Sequence, residues 1–170
     1  MRSATARASG SLILAAFVAG IAPSARAQGT LLGRYAASCV DQASFEQVHG
    51  NVLYTHDGDD NGYGPEHDLS RLAIEAEFSS YGFTPVLDPF IYQGQTYYNV
   101  VVERLGTTRP EDIYVVGAHW DSVDNPGADD NASGVAALLE IARLIGQWES
   151  AATIRLIAFD REEQGLRGSA

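Results

Sequence analysis

The chain has 170 residues, 45% of them hydrophobic, enough for one domain with a real core. Its 11 basic and 22 acidic residues leave a formal charge of −11, and none of the basic residues is a lysine. So acidic a chain argues against nucleic acid or an anionic membrane as partner.

Residues 1–27 read as an export signal. Arg2 and Arg7 make a positive start, Leu12 to Ile21 is an apolar core, and Ala25-Arg26-Ala27 is a small-x-small cleavage site. The apolar run is too short to span a bilayer as a mature helix. Cleavage is expected after Ala27, giving a secreted or periplasmic protein with no membrane segment in its mature form and an oligomeric state left open. Losing Arg2, Arg7 and Arg26 makes the mature chain more acidic still. Cys39 is the only cysteine, so this chain builds no disulfide framework. A small buried residue or half of a bridge to residues past Ala170 are its two readings.

Leu31 to Val48 is mixed and has room for a short helix. His56-Asp57-Gly58-Asp59-Asp60-Asn61-Gly62 follows as a polar loop. Asp57, Asp59, Asn61, Gly62 and Asp68 match part of a calcium-loop pattern, but the usual glutamate is missing and Gly64-Pro65 interrupts it. A solvated turn is the reading preferred. A helix capped by Asp68 or Ser70 is predicted to run to Tyr81 and stop at Gly82, with Leu69, Leu72, Ala73 and Ala76 on one face. Pro85 to Tyr92 and Tyr97 to Arg104 predict two strands joined around Gln93-Gly94-Gln95. Their aromatics (Phe90, Tyr92, Tyr97, Tyr98) are expected to pack a sheet rather than line a cleft. Leu105 to Glu111 is predicted to be a turn-rich connection. His49, His56 and His67 lie among polar neighbours and are expected on the surface. There is no internal repeat and no low-complexity linker.

From Ile113 onward the pattern is strand, loop, helix, strand. Ile113 to Val116 and Ile154 to Phe159 are apolar strand runs. Val135 to Ile145 between them is long enough for about three helical turns. Such a unit predicts parallel strands, with ligands bound past their carboxyl ends. Three acidic clusters fall there: Gly117-Ala118-His119-Trp120-Asp121, Gly127-Ala128-Asp129-Asp130-Asn131-Ala132-Ser133-Gly134, and Asp160-Arg161-Glu162-Glu163-Gln164-Gly165-Leu166. Carboxylates crowded at one sheet edge repel and lose solvation unless a cation sits among them. Mixed histidine and carboxylate donors suit zinc. The competing reading is that Asp129 and Asp130 only cap a helix and the glutamates are surface loop residues.

HWD, PGADDNASG and DREEQGLRGS, in that order over Asp112 to Ala170, resemble the signatures of the co-catalytic zinc aminopeptidases. That family includes secreted bacterial leucine aminopeptidases and glutamate carboxypeptidase. The resemblance implies an α/β fold with a mixed, largely parallel sheet flanked by helices, residues 28–170 being the N-terminal part of its catalytic domain. It implies two Zn2+ ions about 3.5–4 Å apart. His119 would bind one ion, Asp129 would bridge both and Glu163 would bind the other. Glu162 would be the general base, with Asp121 orienting His119. A cis peptide is expected between Asp129 and Asp130. The substrate implied is the N-terminus of a peptide or protein. Two departures stand out. Arg161 replaces a more usual small residue. One aspartate and one histidine ligand would have to come from beyond Ala170, so the piece alone is expected to be inactive and its fold incomplete. A carboxypeptidase, deacylase or glutaminyl cyclase on the same scaffold, or a non-catalytic binding module, is the alternative. Asn131-Ala132-Ser133 also matches a glycosylation acceptor, but its place in the acidic turn argues against that use.

Overall fold

A computed structural model of the chain describes residues 34–53 and 65–170. The expected signal segment, His56, and the calcium-loop positions Asp57, Asp59, Asn61 and Gly62 lie outside these residues. Among the described residues no helix is long and apolar enough to cross a membrane.

Helix α1 (Gln42–Gln47) begins where the Asp41 carboxylate accepts the Ala43 amide at 3.1 Å, and it runs into a wider turn, Val48–Leu53. Helix α2 (Pro65–Ser80) opens on a proline, whose missing N–H costs nothing at a first helical position. It ends as predicted at Gly82, where φ is +87° and the Phe83 amide reaches back to the Phe78 carbonyl. The buried face is a correction. It carries His67, Ser70, Ile74 and Phe78, while Leu69 and Leu72 are exposed.

Strands β1 (Val86–Tyr92) and β2 (Gln95–Arg104) form the expected hairpin. Gln93 and Gly94 turn it, both with positive φ, which matches the right-handed twist of the strands. Strand β3 (Gly106–His119) begins well before Ile113, so the predicted connection at Leu105 to Glu111 is largely strand. Two register shifts absorb its turn-forming residues. Pro110 gives no amide to the ladder, and its carbonyl instead accepts Thr153 Oγ1 at 2.8 Å.

The sheet order is β1-β2-β4-β3, with β4 at Ser150–Phe159. Strand β3 pairs parallel with β4, as the strand–helix–strand pattern requires. The other two pairings are antiparallel, so the described part of this mixed sheet has one parallel pair. Helix α3 (Ser133–Ile145) packs against β3, β4 and α2. Its Val135, Ala136, Leu138, Leu139 and Ala142 join Ile74, Phe78, Val100, Val102, Leu156 and Ala158 in the core.

Glu140 is also buried on α3, 5% exposed, which its sequence context did not suggest. Its carboxylate takes two bonds from Arg143, at 2.6 and 2.7 Å, one from the Asp41 amide at 2.8 Å and one from Ser44 Oγ at 3.1 Å. Arg143 also donates to the Cys39 carbonyl at 3.0 Å, and the Cys39 thiol itself is free. This group therefore fastens α1 to α3. The Arg143 bonds, outweighing burial, lower the Glu140 pKa. Its stabilisation is thus present above the ordinary glutamate value and lost as pH falls through the folded one. We expect Glu140→Ala to cost about 2–3 kcal/mol in urea unfolding at pH 7, because it strands Arg143 and two α1 donors. The difference should shrink in acid, and a pH-independent loss would refute this origin.

Candidate active site

His119 and Phe159 are register partners, so β3 and β4 end at the same level. The ladder goes one step further, the Trp120 amide donating to the Phe159 carbonyl at 3.0 Å. The chain leaving β4 therefore lies against the chain leaving β3. Asp121, completely buried, joins them. Its Oδ1 accepts the Glu162 amide at 3.0 Å and its Oδ2 the Glu163 amide at 3.2 Å. Two charge-assisted bonds to one carboxylate set both glutamates beside His119.

The orientation of His119 follows from its own partners. Nδ1 faces the Asp121 backbone carbonyl at 3.1 Å and the Asp121 carboxylate at 3.6 Å. A carbonyl only accepts, so Nδ1 carries a hydrogen and Nε2 faces the other way. Nε2 lies 3.0 Å from Asp130 Oδ1 and 3.7 Å from Glu162 Oε2. The sequence expectation had Asp121 orient the ring, and the backbone carbonyl does so together with the side chain.

Asp130 enters from the turn Ala128–Ala132 that leads into α3. Asp129 is the residue expected to bridge, but the carboxylate that reaches His119 is that of Asp130. Both aspartates are exposed; the Asp130 carboxylate lies on His119, whereas Asp129 offers its backbone carbonyl to Ser133 Oγ at 2.7 Å. The reason is local backbone. Asp130 leaves helical geometry (φ −114°, ψ 91°), so its side chain departs in a different direction from its neighbour's. The cis peptide also lies one residue later than expected, between Asp130 and Asn131. Gly127 starts this turn with φ +68°, and a Cβ there would sit 2.7 Å from that of Ser122. Asn131 Oδ1 accepts the Gly134 amide at 3.0 Å, and any side chain on Gly134 would collide with it.

Burial, then the charge of Asp130, raises the Glu163 pKa, and His119 works against that rise. For His119, burial favours the neutral ring, but the bonds and charge of Asp121, with Glu162, outweigh it and hold the pKa at about 9. Its stabilisation is complete below the ordinary value of 6.5 and lost as pH rises through about 9. One imidazole nitrogen and two carboxylates are the donors zinc prefers, so His119, Asp130 and Glu163 fit zinc in kind. They are not drawn tight, since no three His, Cys, Asp or Glu side chains among the described residues are arranged to hold an ion. With His119 protonated near neutrality, a zinc ion taking its Nε2 would displace the proton. We expect calorimetry of the full-length chain in buffers of differing ionisation enthalpy to find at least one proton released at pH 7. Affinity should rise with pH up to about 9; binding indifferent to pH would contradict His119 as a ligand.

Behind the site lies a residue the sequence reading placed on the surface. His67, 8% exposed, donates from Nε2 to Asp160 Oδ1 at 2.8 Å and packs its ring, tilted, against Trp120 with centroids 4.2 Å apart. His49 is half-buried, its Nε2 donating to the Ala128 carbonyl at 2.7 Å. Arg161 is buried, with its guanidinium 4.0 Å from the centre of the Tyr97 ring. That contact explains how a large cation is accommodated beside the glutamate pair.

Residues 99–170 match Peptidase family M28. A probable zinc metalloprotease of Pyricularia oryzae is 46% identical over 81 residues, 42% of this chain and 16% of its own length. Aminopeptidase YwaD of Bacillus subtilis is 42% identical over 80 residues, 46% of this chain and 18% of its own. This chain thus spans less than a fifth of the length of these curated relatives. LapB of Legionella pneumophila superposes with a TM-score of 0.67 at 26% identity, over 80% of this chain and 39% of that one. A Zn-dependent exopeptidase of Parabacteroides distasonis does so with 0.62 at 26% identity, over 77% and 50%.

Proposed function

We propose, from the match of residues 99–170 to Peptidase family M28 and from the geometry above, that the protein is an exported zinc aminopeptidase with two ions at the end of β3 and β4. The observation that carries this reading is the Asp121 carboxylate, which sets Glu162 and Glu163 side by side next to His119.

In this reading His119, Asp130 and Glu163 would hold zinc, Asp130 taking the place expected of Asp129. Zinc bound there supplies Lewis acidity, which acidifies water and polarises a peptide carbonyl. Glu162, its side chain 35% exposed and 3.7 Å from His119 Nε2, accepts the proton of the attacking water and returns it to the leaving amine. Asp121 keeps Glu162 in reach through its amide and keeps hydrogen on His119 Nδ1, so the Nε2 lone pair serves the metal. The turn into α3 adds the positive end of a helix near the carboxylates.

The names of the Bacillus and Parabacteroides relatives support removal of terminal residues, and the N-terminal segment supports export. The test is substrate choice by the full-length chain. Aminoacyl anilides should be hydrolysed, N-acetylated ones refused, and a chelator should stop the reaction. Preferential hydrolysis at free C-termini, or ammonia release from N-terminal glutamine, would replace the aminopeptidase with another chemistry on this scaffold.

A further inference from the structure

Glu162 and Glu163 sit in a loop that leaves β4 at Asp160 and closes on itself at Gly168. The Gly168 amide donates to the Asp160 carbonyl at 3.1 Å, and the Arg167 amide to the Arg161 carbonyl at 2.9 Å. Asp121, just past β3, grips the middle of this loop from one side. The other neighbour of β4 is β2, and there the buried Asn99 (3% exposed) grips the neck.

Asn99 is engaged at both ends of its amide. Oδ1 accepts the Asp160 amide at 3.1 Å, and Nδ2 donates to the Gly168 carbonyl at 2.7 Å. A longer contact, 3.4 Å, runs from Nδ2 to Asp88 Oδ2. The β2–β4 ladder begins at Val100 and Ala158, so the Asn99 side chain continues it where backbone pairing stops. Its orientation is determined: flipping the amide would set N–H against N–H and oxygen against oxygen. Space at the neck is equally tight, since a Cβ on Gly168 would strike both the Asp160 carbonyl and Asn99 Oδ1.

We infer that Asn99 is a positioning residue for the glutamate pair: by clamping both ends of the loop from β2, it sets where Glu162 and Glu163 stand relative to His119. Asn99 makes its bonds to the loop's ends and acts on the glutamates only through the backbone. The inference rests on the roles proposed for Glu162 and Glu163. Partners of this outer kind are worth roughly 10–100-fold in metal affinity or turnover.

The test uses the zinc-loaded, full-length chain. Asn99→Asp keeps the acceptor for Asp160 but puts a carboxylate oxygen against the Gly168 carbonyl and Asp88. We expect kcat to fall roughly 10–100-fold with KM little changed. The visible spectrum of the cobalt-substituted protein should also change, since Glu163 is displaced. Asp88→Ala, which removes only the long contact, should alter neither. A folded Asn99→Asp protein with wild-type kcat and cobalt spectrum overturns the inference. Should that variant not fold, Gly168→Ala opens the same neck and should give the same losses. In the unmutated protein the Asp160 and Gly168 amides should exchange slowly with solvent; rapid exchange also overturns the clamp. A wild-type chain that binds zinc but hydrolyses nothing defeats the proposed function instead, leaving the clamp to be judged by exchange and the cobalt spectrum.

Discussion

Glu162→Gln should retain its zinc and lose catalysis, with kcat down on the order of 10²–10⁴-fold, the usual worth of a positioned proton acceptor. The substitution is chosen because it changes little else. The bond that holds this residue is its backbone amide to Asp121, which glutamine keeps. The side chain is 35% exposed, so a neutral amide there meets no desolvation penalty. What disappears is basicity, and KM should move little because Glu162 is not among the proposed ligands. Metal content by mass spectrometry and steady-state rates on an aminoacyl anilide measure the two halves separately. Residual turnover within a few-fold of wild type would take Glu162 out of the proton-transfer role.

The second large effect separates two adjacent, chemically identical residues. Asp130→Ala should abolish stable binding of the metal pair, because its carboxylate is the one on His119. Asp129→Ala should leave metal content unchanged, since the bond at Asp129 is made by its backbone carbonyl, which accepts Ser133 Oγ and which alanine keeps. Activity should follow metal in both variants. Zinc kept by Asp130→Ala and lost by Asp129→Ala would restore the assignment that motif position alone suggested.

Among the described residues β3 is an edge strand, and its Ile113, Tyr114, Val115 and Val116 are all exposed, an arrangement that invites strand addition.

Much of the site was readable along the chain because its determinants are local. Apolar runs in Ile113 to Val116, Val135 to Ile145 and Ile154 to Phe159 dictate strand, helix and strand, and parallel pairing then brings His119 and the glutamates together. Gly82 and the Gln93-Gly94 turn were likewise legible, since positive φ is a property of single residues. Other features depend on partners distant in sequence. His67 looked like a surface histidine until folding set Asp160, 93 positions away, against it. Glu140 became a buried anchor only because Asp41, 99 positions earlier, arrived beside it. Residues 106–112 carry turn formers, yet pairing with β4 draws them into β3.

Residue order and chemistry by themselves determined the donors, the strand–helix–strand frame and the end of the sheet where they gather. Tertiary structure alone decided which of two neighbouring aspartates meets His119, and that Asn99 on a separate hairpin holds the loop of the glutamates. A side chain's direction depends on backbone angles and on neighbours that only packing assembles, and residue type carries no record of either.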